Sequence, residues 1–300
     1  MATMLQLVQR AMGELGLSVP NVVAGNATVD VSQMLALLNA LGEELQRMHE
    51  WQKLTKEYRF TTQFLATTGN TTTNSPVVTA MGSTTGLDNT YMVTGLGVQQ
   101  DAYVLTNDSA TQVTLTRPVT STATGVDLVF TKTKYAFPDD FDRLINRTQW
   151  DKTNHWEMIG PESAQQWQWL KSGYIQTTPR VRYRQLGNFF QIWPPVGVAN
   201  YYGFEYISNG WVLDASGNAK SRFTADDDTC IFPDRLMVLG LKLKYFEIKN
   251  FDTTALYRDF VYQFDITRGT DSAAPTLNLA PMRENLLLGY DSIPDSGYGR

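Results

Sequence analysis

The chain has 300 residues, of which 42% are hydrophobic and 12% aromatic, and this composition excludes a disordered or fibrous protein because it can supply a sizeable core. The formal net charge of -5 argues against a general affinity for nucleic-acid phosphates. The single cysteine, Cys230, allows no intramolecular disulfide and is typical of a protein made in a reducing cytoplasm.

The first fifty residues predict two helices that pair antiparallel. Asp30 and Gln33 have the spacing of a capping box at the start of the second helix, and Gly16 and Pro20 follow the first. In both helices, apolar residues recur at three- and four-residue spacing, which indicates one buried face. These residues are Leu5, Val8, Met12 and Leu15 in the first helix, and Val31, Met34, Leu35, Leu38, Leu41, Leu45 and Met48 in the second.

Residues 59–135 predict a small inserted β module. The composition changes here to Thr, Ser, Gly, Val and Asn, and the segment contains no Glu. Short runs of alternating apolar and polar residues are separated by Gly, Asn, Asp and Pro, which favours short strands joined by turns. The predicted strands are residues 91–94, 102–105, 112–116 and 126–130.

Residues 136–232 predict an aromatic, β-rich segment with one short helix that carries Trp167 and Leu170. Three strands are predicted at residues 181–184, Phe189–Trp193 and Tyr201–Ser208. Three arginines alternate around the first of these strands and should therefore point to one face. The candidate charges, for ion pairs between subunits or for contact with nucleic acid, are Arg180, Arg182 and Arg184.

Residues 233–268 predict a second pair of helices, and Asp252 or Thr253 would cap the later one. Residues 269–300 contain three prolines and many small residues, which indicates an extended arm. An isolated apolar cluster on this arm is a candidate docking site on another chain, and the alternative is a tail that packs on its own domain. The candidate residues are Leu286, Leu287, Leu288, Tyr290 and Tyr298.

The predicted fold class is α+β. Neither helix pair can bury its apolar stripe alone, so we expect residues 1–58 and 233–268 to form one helical core. The inserted module, the β-rich middle segment and the extended C-terminal arm complete the chain. We expect no membrane association, because no segment is long and apolar enough to span a bilayer and the first residues lack the pattern of a signal peptide.

No catalytic constellation is evident, so we predict no enzyme activity, no cofactor and no metal. The only histidines are His49 and His155, and neither has a partner at zinc-ligand spacing. Aspartates at residues 139–142 and 226–228 could offer oxygen ligands to Ca²⁺ or Mg²⁺, but their positions before predicted elements favour turns and caps.

Four tryptophans could provide a flat surface on which sugars or bases stack. An aromatic core or a subunit interface is the favoured interpretation, since no basic residues are interleaved with them. These residues are Trp150, Trp156, Trp167 and Trp169.

Outside the β module, several motifs occur in an order that is more specific than any one of them. They are Met4-Leu5-Gln6-Leu7-Val8, Leu35-Ala36-Leu37-Leu38-Asn39, Glu50-Trp51-Gln52-Lys53-Leu54, Phe137-Pro138-Asp139-Asp140-Phe141, Gly160-Pro161 with Trp167, Phe204-Glu205-Tyr206-Ile207-Ser208 with Trp211, and Pro233-Asp234-Arg235-Leu236. In this order they resemble the head-to-tail adaptors of short-tailed bacteriophages, the family that includes tail tubular protein A. The module resembles a β module of several phage structural proteins, through residues 93–95 and 114–118.

The resemblance implies a virion protein, made in the host cytoplasm, that forms a ring of twelve subunits between the portal protein and the tail nozzle protein. DNA would pass through the ring without sequence-specific binding, and an acidic chain suits such a channel because it repels phosphate. The apolar cluster on the arm would dock on the portal or on a neighbouring subunit. The alternative function is a carbohydrate- or receptor-binding tail component, motivated by the Thr-rich module and the tryptophans.

Overall fold

The computed structural model describes residues 1–172 and 180–271, and within them the fold is α+β. A short 3-10 helix spans Gln52–Leu54. None of the described helices is long and apolar enough to cross a membrane. The α-helices are α1 (Met4–Glu14), α2 (Val29–Met48), α3 (Ala164–Lys171), α4 (Asp234–Lys249) and α5 (Thr254–Asp271).

In the part of the chain that the structure describes, the strands are short and pair antiparallel in five sheets. They are β1 (Thr55–Thr61), β2 (Phe64–Thr71), β3 (Val77–Val78), β4 (Tyr91–Gly95), β5 (Val104–Ser109), β6 (Gln112–Leu115), β7 (Ala123–Lys132), β8 (Lys134–Ala136), β9 (Phe141–Leu144), β10 (Trp150–Asp151), β11 (Trp156–Glu157), β12 (Arg182–Leu186), β13 (Phe189–Trp193), β14 (Tyr201–Ser208), β15 (Val212–Leu213), β16 (Ala219–Lys220) and β17 (Thr229–Cys230).

Helix α4 lies inside the helical part of the protein and packs against α1, α2 and α5. Six consecutive residues of α4, from Leu236 to Leu241, are buried, so this stretch is enclosed on all sides. Gly240 lets α2 approach closely, because a Cβ atom there would lie 2.6 Å from a methyl carbon of Leu41. Trp211, just before the small sheet β15–β17, belongs to the same core, and its ring packs against Phe223 and Phe232.

A capping box is present at the start of α1 and not, as the sequence predicted, at the start of α2. Helix α1 begins with a capping box, in which the Thr3 hydroxyl accepts the N–H of Gln6 and the Gln6 side chain accepts the N–H of Thr3. The box predicted at Asp30 is wrong, because α2 begins at Val29 and has Thr28 at its N-cap. Asp30 instead lies in the first turn, where its negative charge interacts favourably with the helix dipole.

Two sheets of the middle segment share one aromatic core. Strand β14 pairs with β1, β9 and β10, and β13 pairs with β8 and β12. The ring of Phe190 on β13 stacks 4.9 Å from Phe204 on β14 and 5.1 Å from Tyr183 on β12. The predictions of strands at Phe189–Trp193 and Tyr201–Ser208 are confirmed.

The module between β1 and β8 consists of two three-stranded sheets, in the orders β2–β7–β4 and β3–β6–β5. It has its own core, which includes Val78, Val113, Leu128 and Phe130. Strands β2 and β3 were missing from the sequence prediction, whereas β4, β6 and β7 were included. Residues 59–61 extend β1 along β14 and so belong to the sheet of the middle segment.

A junction cluster joins this module to the middle segment. Met92 and Tyr103 of the module pack with Trp167 and Leu170 of α3 and with Trp193 of β13. The edge of this junction cluster is charged, with Lys171 paired to Asp101 at 2.9 Å and Lys134 Nζ 4.2 Å from the centroid of the Tyr103 ring. The module is therefore held by packing and charge as well as by its two connecting strands.

Replacing Gly42 with alanine should destabilise the protein, because a Cβ atom there would lie 2.0 Å from Cη2 of the fully buried Trp211 ring. We expect Gly42→Ala to lower the free energy of unfolding by about 2 kcal/mol, despite the better helix propensity of alanine. Gly13→Ala is the matched control, since its nearest neighbour, Val19 Cγ2, is 3.9 Å away. Urea unfolding of both variants measures the difference, and equal stability would contradict the close packing of Trp211 on α2.

Candidate interaction surfaces

One face of helix α5 packs on the helical core, and its other faces carry apolar side chains that are exposed to solvent. Leu256, Phe260 and Phe264 recur at four-residue spacing and pack on the helical core. Phe264 lies edge-on to the Trp51 ring, at 6.0 Å. Other apolar residues of α5 are exposed to solvent, namely Tyr257, Val261, Tyr262 and Ile266. An exposed helix surface of this kind is typical of an interaction site.

A groove of about 460 Å³ opens where α4 turns into α5, and we call it the corner groove. Asn250, in the left-handed conformation, ends α4 and sends the chain back. Phe251 is 57% exposed on one wall, with its ring edge-on to Phe246 at 5.5 Å. The corner groove is lined by Glu14, Leu15, Leu17, Lys242, Tyr245, Phe246, Phe251 and Leu256.

The charges at the rim of the corner groove are paired. Lys242 Nζ donates to Glu14 at 2.8 Å, and Arg235 lies 3.5 Å from the same carboxylate. The hydrogen bond from Lys242 lowers the pKa of Glu14 more than burial raises it. These ion pairs fix the end of α1 against α4, so the apolar lining is held in place.

Helix α5 ends at the opposite side of the core. The carboxylate of Asp271 accepts the backbone N–H of Gln52 at 2.7 Å, beside a second groove lined partly by Trp51 and Phe232. The candidate docking residues of the arm lie outside the described residues, and they are Leu286, Leu287, Leu288, Tyr290 and Tyr298.

The three arginines do not form the single row that the sequence predicted. Strand β12 begins at Arg182, so Arg180 lies before the strand. Arg182 donates to Glu162 at 2.5 Å, and the Glu162 side chain is only 6% exposed. Arg184, two residues further along, is half-buried. Arg182 is thus committed to a pair within the subunit, because the fold brings Glu162 beside it.

The first aspartate cluster is used by the fold. Asp140 accepts hydrogen bonds from Lys56 Nζ at 2.6 Å, the Ser208 hydroxyl at 2.7 Å and the Tyr206 hydroxyl at 2.9 Å. Burial by itself would raise the pKa of Asp140, but these hydrogen bonds outweigh it and hold the pKa below its ordinary value. Asp140 therefore ties the start of β9 to β14 and β1.

The second aspartate cluster supports a loop. Asp226 accepts the backbone N–H groups of residues 23 and 24, and Asp228 accepts those of residues 224 and 225 and pairs with Lys220 at 2.7 Å. The backbone carbonyls of both aspartates accept the first N–H groups of α1. Within residues 1–172 and 180–271, no group of three His, Cys, Asp or Glu side chains could hold a metal ion.

The four tryptophans do not form one stacking platform. Trp167 is buried in the junction cluster, and Trp150 is half-buried on β10. Trp156 and Trp169 are exposed. The platform hypothesis is wrong for Trp167, because the inward face of α3 is covered by the module.

A family model described as SU10 adaptor protein matches residues 97–274, which is more than half of the chain. The matched region begins inside the β module and includes the middle segment, α4 and α5. None of the curated proteins matches the chain.

The pair between Arg182 and Glu162 predicts a stability effect in the isolated subunit. Arg182→Gln should lower the free energy of unfolding by about 2 kcal/mol, because it leaves a buried carboxylate without its charged partner. Arg184→Gln on the same strand is the matched control and should change stability by less than about 0.5 kcal/mol. If thermal melting shows equal stability for both variants, the pair does not stabilise the subunit.

The hydrogen bonds of Asp228 predict a pH-dependent contribution of its carboxylate to the free energy of unfolding. Burial raises its pKa, but hydrogen bonds from Lys220 and two backbone N–H groups outweigh it and lower the pKa below 3.8. A carboxylate with a lowered folded-state pKa stabilises the protein above its unfolded-state pKa, and this contribution disappears as the pH falls through the folded-state value. Asp228→Asn should therefore cost about 2 kcal/mol at neutral pH, and the difference from the unmodified protein should shrink below about pH 4.

The exposed neighbour Asp227 provides the control, since Asp227→Asn should leave stability almost unchanged at every pH. Urea unfolding between pH 3 and pH 7 measures both variants. A deficit for Asp228→Asn that stays constant down to pH 3 would show that the charge of the carboxylate is not what stabilises the loop.

Proposed function

We propose that this chain, which belongs to the SU10 adaptor protein family, is the subunit of a ring that joins the portal of a phage to its tail nozzle. The family is one of structural phage adaptors, so the protein is a virion component that interacts with other head and tail proteins. The match over residues 97–274 carries the proposal. The finer role, including twelve subunits and passage of DNA through the ring, extends what the family implies.

The charge distribution supports a structural role. Asp140, Asp226 and Asp228 are all engaged in hydrogen bonds that hold loops and strands together. Side chains used in this way are not available for acid–base chemistry or for a metal. We infer that the protein acts by assembly and not by catalysis.

Ring formation requires two different complementary surfaces on each subunit, because a head-to-tail contact is repeated around the ring. The exposed apolar residues of α5 offer one such surface. Arg180 and Arg184 are candidate charges for a neighbouring subunit or for the channel. A net charge of -5 suits a channel through which DNA must slide, since it does not attract phosphate.

The arm adds a second kind of contact. Residues 286–290 have the sequence Leu-Leu-Leu-Gly-Tyr, which contains no charge, and we call them the arm cluster. We propose that they dock on the portal or on a neighbouring subunit.

The proposal is tested by mixing the purified chain with the portal protein of the same phage. We expect a complex in which one ring of twelve copies sits on the portal, visible by electron microscopy and countable by native mass spectrometry. The portal alone and the chain alone are the controls, and the chain alone need not form a ring. Failure to bind the portal, or binding without a ring, would overturn the proposed function.

A further inference from the structure

We propose that the corner groove binds the arm cluster of a neighbouring subunit, so that adjacent subunits in the ring are linked by exchanged C-terminal arms. This inference rests on the proposed function, because it needs neighbouring copies in a ring. It deepens that function by naming both halves of a contact between subunits.

The corner groove has the chemistry to receive an apolar peptide. Its lining includes Leu15, Leu17, Phe246, Phe251 and Leu256, and the two aromatic rings among these, Phe246 and Phe251, lie edge-on to each other. The more than half-exposed Phe251 side chain leaves a large apolar surface in water, which burial under a partner would stabilise. The occupant must be mainly apolar, since the rim charges are already paired with each other.

The arm cluster matches this lining in both composition and charge. Its five residues are uncharged, and the acidic residues Glu284 and Asp291 flank it on the two sides. Lys242 on the lining is neutralised by Glu14, but Lys249 lies beside the corner groove, with its Nζ 5.3 Å from the ring centroid of the lining residue Tyr245. An apolar segment flanked by carboxylates is complementary to an apolar groove that has Lys249 near its edge.

The arm, when extended, is longer than the helix that it follows. Helix α5 is 18 residues long, or about 27 Å, and the arm leaves it at the end opposite to the corner groove. Residues 272–286 can span up to about 50 Å when extended. An arm at one end of α5 and a groove at the other are two distinct surfaces, as a head-to-tail contact between copies requires. If the arm cluster instead docked in the corner groove of its own subunit, both surfaces would be used within one chain and no neighbouring subunits would be linked.

Disulfide cross-linking between differently labelled subunits tests the inference. One batch of the full chain carries Phe251→Cys, a second tagged batch carries Leu287→Cys, and the two are mixed with the portal protein and mildly oxidised. We expect a covalent dimer of one tagged and one untagged subunit. Cys230 does not interfere, because it is 1% exposed and burial raises the pKa of its thiol to about 12.

Tyr262→Cys in place of Phe251→Cys is the matched control. Tyr262 is 69% exposed on α5 but does not line the corner groove, so its mixture with Leu287→Cys should give no covalent dimer. Equal yields from the two mixtures would overturn the inference, since the arm would then touch α5 without a preferred site.

A chain that carries both Phe251→Cys and Leu287→Cys shows whether the arm in the corner groove comes from the same subunit or from a neighbouring one. Exchange between subunits gives a ladder of covalent oligomers, which supports the inference, whereas a cross-linked monomer means that each arm occupies its own groove and overturns it. Electron microscopy of the same samples shows, independently of the cross-link, whether a ring has formed on the portal. A ring without the mixed dimer refutes the exchanged arm alone, and absence of a ring on the portal refutes the proposed function together with this inference.

Discussion

The close contact between α2 and α4 is the constraint on which the rest of the structure depends. Gly240 of α4 lacks the side chain that would clash with Leu41 of α2, and Gly42 of α2 leaves room for the Trp211 ring. The contact joins residues that are about two hundred positions apart in the sequence. Because α2 precedes the β-rich middle segment and α4 follows it, their contact brings the two ends of that segment together. The corner groove forms next to this contact, where α4 turns into α5.

The elements that the sequence predicted best are those with a strong local pattern. Strands β13 and β14 are rich in aromatic residues and isoleucine and are bounded by turn residues such as glycine and proline, so both ends of each strand were predicted correctly. Strand β2 was missed because it is rich in Thr and contains Gly69, a glycine that is explained only in the fold, by close contact with Val78, Leu128 and Met81. The capping box was placed at Asp30 because spacing alone cannot tell an N-cap from a first-turn position.

The candidate surfaces show the same limit. The apolar cluster of the arm is contiguous in sequence and could be recognised there, but the corner groove combines residues of α1, α4 and α5 and becomes visible only in the fold. Arg182 was expected to face another molecule because its partner Glu162 lies twenty residues away. The adaptor family was predicted from the order of degenerate motifs, and the family match confirms it while including part of the β module.

The module's attachment has a consequence for how such proteins change during evolution. Its first and last strands leave the middle segment side by side, and Lys132 donates its backbone N–H to the carbonyl of Gln63 at 2.9 Å. A single in-frame gain or loss of DNA between these points would add or remove the whole module without rerouting the remaining chain. Trp167 and Trp193 would then lose the cover of Met92 and Tyr103, so loss of the module exposes apolar surface on the middle segment.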